Sequence, residues 1–161
     1  MTSLFERILV PLDGSDHSMH ALKNAIQIAK NFDAKVTLIN VYSLTQTFVP
    51  APFAMAEGPM GMTPTDSVPS ELFSQLADVH RQTGANILAN GKERAQAEGI
   101  QAETLLKEGH TVEEILRTAS EGKYDLIVIG ARGLSTIKEI LLGSVSHGVV
   151  MHANCPVLVV K

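Results

Sequence analysis

The sequence predicts an α/β fold in which a parallel sheet is covered by helices on both faces. Two observations carry that expectation. Apolar runs such as Lys35-Val-Thr-Leu-Ile-Asn-Val41 and Asp125-Leu-Ile-Val-Ile129 are nearly continuous, as strands buried on both faces should be. They alternate with segments of helical periodicity, which favours parallel pairing through right-handed crossovers. The second run leads straight into Gly130-Ala-Arg-Gly133, and Gly143-Ser144 opens a later helix. A buried strand ending in a glycine loop and a helix start is suited to holding phosphate. Glycine lets main-chain N–H groups approach an anion, and a helix N-terminus offers unpaired donors and the positive end of its dipole.

Each element can be justified in turn. Arg7-Ile-Leu-Val-Pro-Leu12 reads as a strand closed by the turn Asp13-Gly-Ser-Asp16, with Ser15 as the N-cap of a helix. Leu22, Ala25, Ile26 and Ala29 give that helix one apolar face through about Phe32. Lys35–Val41 is the second strand. From Ser43 to Ser70 the chain changes character: five prolines, Pro50, Pro52, Pro59, Pro64 and Pro69, remove donors and fix φ, so a long flexible loop is expected there. Two readings remain open for it, a disordered insertion or an apolar flap built on Phe48, Val49, Phe53, Met55, Met60 and Met62.

Ser70 to about Ala97 reads as a long helix with Leu72, Leu76, Val79 and Ile87 roughly on one side, although Gly84 and Gly91 weaken it. Ile100–Leu106 alternates partly, as an edge strand with one wetter face would. Thr111-Val-Glu-Glu114 is a capping box whose helix carries Val112, Ile115, Leu116 and Ala119. Tyr124–Ile129 is the next strand, Thr136–Leu142 a helical segment, Ser144–Ala153 a helix and Val157–Val160 the final strand.

Composition narrows the function classes. A chain of 161 residues with 45% hydrophobic and 19% charged residues is expected to form a single domain, residues 1–161, with an ordinary core. Its net charge of −4 argues against nonspecific nucleic-acid binding, which needs a basic face. No apolar stretch approaches the ~18–20 residues of a membrane span, so no membrane partner is expected. Met1–Arg7 lacks the regions of a signal peptide, and the single Cys155 permits no internal disulfide; a cytoplasmic setting is expected.

In an open α/β sheet, ligands bind beyond the carboxyl ends of strands where the strand order reverses. There, donors around Gly130 and Gly143 would take phosphates, and the Ser144 hydroxyl would add a bond and cap its helix. Asp13 could accept from an adenine amine or a ribose hydroxyl, or hold Mg²⁺, and Val41 would supply an apolar wall. The spacing alone leaves open the plainer alternative that the glycines make tight turns and Asp13 caps one. A Walker A loop is excluded because Gly143-Ser144-Val145 lacks its lysine, and a dinucleotide fingerprint because Pro11–Asp16 holds one glycine. His17 and His20 share a helix face without a third ligand in view. His147 and His152 are not expected to be catalytic, and Cys155 reads as a small buried residue.

The G-x2-G-x9-G-S pattern of Gly130, Gly133, Gly143 and Ser144 resembles the nucleotide-binding signature of the universal stress protein family. The likeness extends through Ile8-Leu-Val-Pro-Leu-Asp-Gly-Ser15, Lys138-Glu-Ile-Leu-Leu-Gly-Ser-Val145 and Asn154-Cys-Pro-Val-Leu-Val-Val160, sparing the 43–70 loop. It implies a doubly wound, Rossmann-like five-stranded parallel sheet of order 3-2-1-4-5, and ATP as the ligand, with Mg²⁺ accompanying the nucleotide at Asp13. Pro11, Asp13, Val41, Gly130, Gly133, Gly143, Ser144, Val145 and Ser146 match the family's nucleotide-contacting positions, and Ile129 adjoins them. Ser146 stands where threonine is frequent and keeps a hydroxyl for the phosphates; Arg132 could reach phosphate or be a solvated loop residue.

The function expected is an ATP-binding stress-response or signalling module acting on a protein partner the sequence does not identify. A slow ATPase and a nucleotide-independent interaction protein are the alternatives. Valine at Gly130 or Gly143 is expected to weaken binding without unfolding. A homodimer is expected through Val157–Val160, which is apolar on both faces and lies at a sheet edge in the order 3-2-1-4-5.

Overall fold

Side chains alternate across a strand, so each apolar run of this chain supplies two cores at once. In β1 (Arg7–Pro11), Ile8 and Val10 face one way and Leu9 the other. β2 (Lys35–Tyr42) divides Val36 and Leu38 from Ile39, and β4 (Leu126–Gly130) divides Leu126 and Val128 from Ile127 and Ile129. The computed structural model describes residues 3–44, 69–134 and 142–161. Within them β1, β2, β3 (Ala102–Glu108), β4 and β5 (Val157–Val160) form one sheet in the order β3-β2-β1-β4-β5, every pairing parallel. The doubly wound arrangement and its strand order are those expected.

The register aligns like with like: Ile8 lies opposite Val36 on one side and Leu126 on the other. The first core is closed by α1 (Asp16–Phe32) and α2 (Ser70–Ala97), through Leu22, Ala25, Ile26, Ala29, Leu88 and Ala95. The second is closed by α3 (Thr111–Glu121) and α4 (Ser144–His152), through Ile115, Ala119 and Val149. Burial of each Leu, Ile or Val stabilises by about 1.5–3 kcal/mol, so these two layers supply most of the driving force. Among the described residues no helix is long and apolar enough to cross a membrane.

Most elements stand where the sequence puts them, and the departures have physical causes. The Ser15 hydroxyl caps α1 by accepting the Ser18 N–H at 3.2 Å, as expected. β3 begins at Ala102 rather than Ile100, because Ile100 N–H still belongs to the end of α2, donating to Ala95 O at 2.9 Å across Gly99 at φ +82°. The capping box at Thr111 is not made. His110 is the N-cap, without a side-chain bond, and Glu114 pairs with Arg117 instead. The connection expected over Ser43–Ser70 lies, except at its ends, outside the described residues, as does the helical segment of Thr136–Leu142 up to its last residue.

The largest correction concerns α2. Leu72 and Val79 are 46% and 59% exposed, and the buried face is Gly84, Leu88, Gly91 and Ala95. The glycines that weaken the helix on propensity are the residues that let it approach the sheet. A Cβ on Gly91 would stand 2.6 Å from Leu12 Cδ1 and 3.0 Å from Leu38 Cδ1, both buried leucines. Gly91→Ala should therefore lower the unfolding free energy by about 1–2 kcal/mol, overpacking outweighing about 1 kcal/mol of helix propensity. The urea midpoint measures it; a rise would show that α2 can back away from the sheet at no cost.

Candidate functional site

Strand order reverses between β1 and β4, so their carboxyl ends diverge into helices on opposite faces and leave a crevice. That crevice is a cleft of about 270 Å³. Pro11 and Asp13 reach it from the end of β1, Val41 from β2, and Ile129 and Gly130 from β4. Arg132 and Gly133 come from the following loop, and Gly143, Ser144, Val145 and Ser146 from the start of α4. Every residue singled out in the sequence for this site is thus brought to one place.

The first turn of α1 borders the cleft through Ser18. It rests on the end of β4 so closely that a Cβ on Gly130 would lie 2.7 Å from His17 C and 2.8 Å from Ser18 N. Asp13 Oδ1 accepts from Ser15 N at 2.9 Å and from the Ser15 hydroxyl, which fixes the carboxylate at the head of the same helix. Its other oxygen, Oδ2, packs over Gly133, where a Cβ would come within 2.5 Å of it. Asp13 does cap a turn, as the plainer alternative has it, yet one oxygen still faces the glycine loop. It is the one carboxylate among the described residues lining the cleft.

The glycine loop is tied down by its own main chain. Ala131 N donates to Val160 O at 2.7 Å, and Gly143 N donates to Ala131 O at 2.7 Å. The Gly143 N–H is therefore already committed. Gly143, not Ser144, is the N-cap of α4; Ser144 is its first residue and makes no cap bond. The Ser146 hydroxyl is buried and donates to Gly130 O at 2.7 Å and Ala131 O at 3.1 Å, holding α4 to the end of β4. In this arrangement its proton points at the main chain, leaving lone pairs that can only accept. The N–H groups of Ser144, Val145 and Ser146, which the first turn of a helix leaves without intrahelical partners, are donors suited to an anion.

Sequence reasoning missed Leu12, Ser18, Ile39, Asn40, Thr111, Ile115 and Leu134, which also line the cleft. Pro11, Ile39, Val41, Ile115 and Ile129 make an apolar wall, while Thr111 brings the start of α3 to the rim. Asn40 carried a readable signal: an amide in an apolar strand needs a buried partner, and its Nδ2 donates to Leu12 O at 2.8 Å. Elsewhere the histidines form no metal centre, for among the described residues no three His, Cys, Asp or Glu side chains are grouped to hold one. His152 Nδ1 lies 2.9 Å from Gly148 O. Burial, then the charge of Asp125, pushes the Cys155 thiol up, which disfavours the nucleophilic thiolate.

These features define a doubly wound parallel α/β domain with a glycine-rimmed cleft at its reversal of strand order. The model of the universal stress protein family matches residues 4–161, and the chain belongs to that family. Universal stress protein YxiE of Bacillus subtilis is 36% identical, covering 98% of this chain and 100% of its own. Universal stress protein MJ0531 of Methanocaldococcus jannaschii is 40% identical, covering 99% and 84%. Among solved structures, a universal stress protein in complex with cAMP is 29% identical, with a TM-score of 0.64 over 99% of this chain and 98% of its own.

The close approach at Gly130 corrects one expectation about variants. Any side chain there meets the backbone of α1, so Gly130→Val should destabilise the fold by about 3 kcal/mol or more rather than act on ligand binding alone. At Gly143 the nearest atom to an added Cβ is 3.5 Å away, and φ is −68°, so the fold should tolerate substitution. Thermal melts of Gly130→Val and Gly143→Ala separate the two; equal melting temperatures would contradict the packing.

Proposed function

We propose that the cleft binds an adenine nucleotide, with ATP as its physiological form, and that the bound state sets how the protein engages a partner in a stress or signalling response. The observation carrying this reading is the convergence of the α4 N-terminus, the Gly130–Gly133 loop and the Asp13 carboxylate on one cleft with an apolar wall. Phosphate oxygens would lie against the first N–H groups of α4, where the helix dipole favours negative charge. The base would lie along Val41, Pro11 and Ile129, and Asp13 Oδ2 would accept from an adenine amine or a ribose hydroxyl. The universal stress protein solved with cAMP supports the adenine class.

The donor set also fits Mg²⁺ in a modest way. Mg²⁺ is usually held by one or two carboxylates together with substrate phosphates and water; Asp13 Oδ2 would hold it as the alternative to accepting from the base or ribose. Arg132 lines the same cleft, and its guanidinium would pair with a terminal phosphate. Asp13 and Arg132 are a thin set for hydrolysis, which calls for a positioned water and charge neutralisation at the γ-phosphate. Turnover should be slow at most, and binding is the activity proposed.

The partner arrangement proposed is a homodimer through β5. This strand ends the sheet beside β4, and its Leu158 is 38% exposed. An edge of unpaired N–H and C=O groups flanked by valines invites antiparallel pairing with a second copy. Light scattering at tens of micromolar protein should report twice the chain mass; a monomer with and without ATP would refute the dimer.

Calorimetry with ATP, AMP and GTP tests the ligand. Adenine nucleotides should bind at micromolar to millimolar concentration and GTP more weakly, while Gly143→Val should weaken ATP binding at least about tenfold with the far-ultraviolet spectrum unchanged. Folded protein that shows no heat with any adenine nucleotide would refute the reading.

A further inference from the structure

We propose that Asn40 is a positioning residue that locks the Asp13 loop to α2, so that α2 senses what occupies the cleft. The sensing half of this proposal rests on the nucleotide reading above; the lock does not. Asn40 is 7% exposed and serves two neighbours at once. Its Nδ2 holds Leu12 O at 2.8 Å, between Pro11 and Asp13. Its Oδ1 fills the space beside Gly84 of α2, where a Cβ would come within 2.3 Å.

The same helix touches the loop twice more. Ile87 packs under Gly14, where an added Cβ would lie 3.2 Å from Ile87 Cδ1, and Gly91 packs on Leu12. Leu12 is thereby held on three sides: its N–H donates to Ile39 O at 2.8 Å, its carbonyl accepts from Asn40, and its side chain lies on α2. Residues 84, 87 and 91 form one helical stripe, so the loop carrying Asp13 is seated along a single face of α2. A ligand that pulls on Asp13 must move Leu12, and Leu12 cannot move without disturbing Asn40 and Gly84. Toward its N-terminus the helix continues through Ser70–Thr83, where no residue is buried and Leu72, Phe73 and Val79 are exposed. Displacement at the cleft is therefore carried to a solvent-facing half-helix on which Leu72, Phe73 and Val79 are exposed.

Two variants separate positioning from plain stability. Asn40→Asp keeps the shape and removes the donor to Leu12 O. Gly84→Ala lies outside the cleft and reaches it by displacing Asn40, the other side chain it meets being Leu106 of β3. Both are measured by hydrogen exchange and calorimetry at a temperature where circular dichroism shows them folded. Without ligand, each should speed exchange in the Pro11–Ser15 segment and in α2 around Thr83–Gly91 together, leaving α3 as in the parent. Faster exchange in one segment alone, or in neither, would overturn the lock. With saturating AMP or ATP, the parent should gain protection in α2, and both variants should bind about tenfold more weakly with that protection lost. Parent-like affinity in both variants would overturn the positioning role. A parent that binds neither nucleotide overturns the nucleotide reading and the sensing with it, while the ligand-free exchange still decides the lock.

Discussion

The contact between the first turn of α1 and Gly130 governs the carboxyl end of this sheet. With no Cβ in the way, main-chain atoms of His17 and Ser18 sit where the side chain of any other residue would be. The carbonyl of the same glycine receives the Ser146 hydroxyl, so α4 is attached at the point where α1 presses. Two helices on opposite faces are thus referred to one residue. The close seating of α1 there depends on the absence of a methyl group.

Polar satisfaction does the rest of the local work. A loop between a buried strand and a helix carries N–H and C=O groups that must be paired when water is excluded. Leu12 gives both of its groups to β2, the carbonyl through the Asn40 amide. Ala131 gives its N–H to β5, and its carbonyl to Gly143 and Ser146. Each bond adds about 1 kcal/mol net, but losing one partner leaves a buried group unpaired at about 1–3 kcal/mol. The main-chain groups of Leu12 and Ala131, on the β1 and β4 sides of the cleft, are consequently paired before any ligand arrives.

The two cores answer a different demand. Because β1, β2 and β4 are buried on both faces, their side chains alternate between α1 with α2 and α3 with α4. β3 and β5 lie at the edges and are wetter, with Glu103 and Thr104 exposed on one and Leu158 on the other. At the opposite end of the sheet, Asp125 accepts from Glu6 N at 2.8 Å and Arg7 N at 3.2 Å, tying the starts of β1 and β4. The strands that define the cleft are therefore fixed at both ends.

The sequence by itself determined the sheet, the family and eleven of the residues that line the cleft, because these depend on local quantities. Apolar runs mark buried strands, the Ser15 cap marks a helix start, and glycine spacing marks a loop that returns to the same place. Tertiary structure alone decided which glycines are packing devices. Gly84 and Gly91 read as helix weakeners because propensity is a property of the isolated helix, whereas their role lies in leucines and an asparagine distant in sequence. Likewise the Ser146 hydroxyl looked available to a ligand until Gly130 and Ala131 carbonyls came within reach of it. An amide at Asn40 in an apolar strand signals a buried partner, but that the partner is the Leu12 carbonyl is set by the fold. A side chain's chemistry is written in the sequence, but its partner is chosen by the fold.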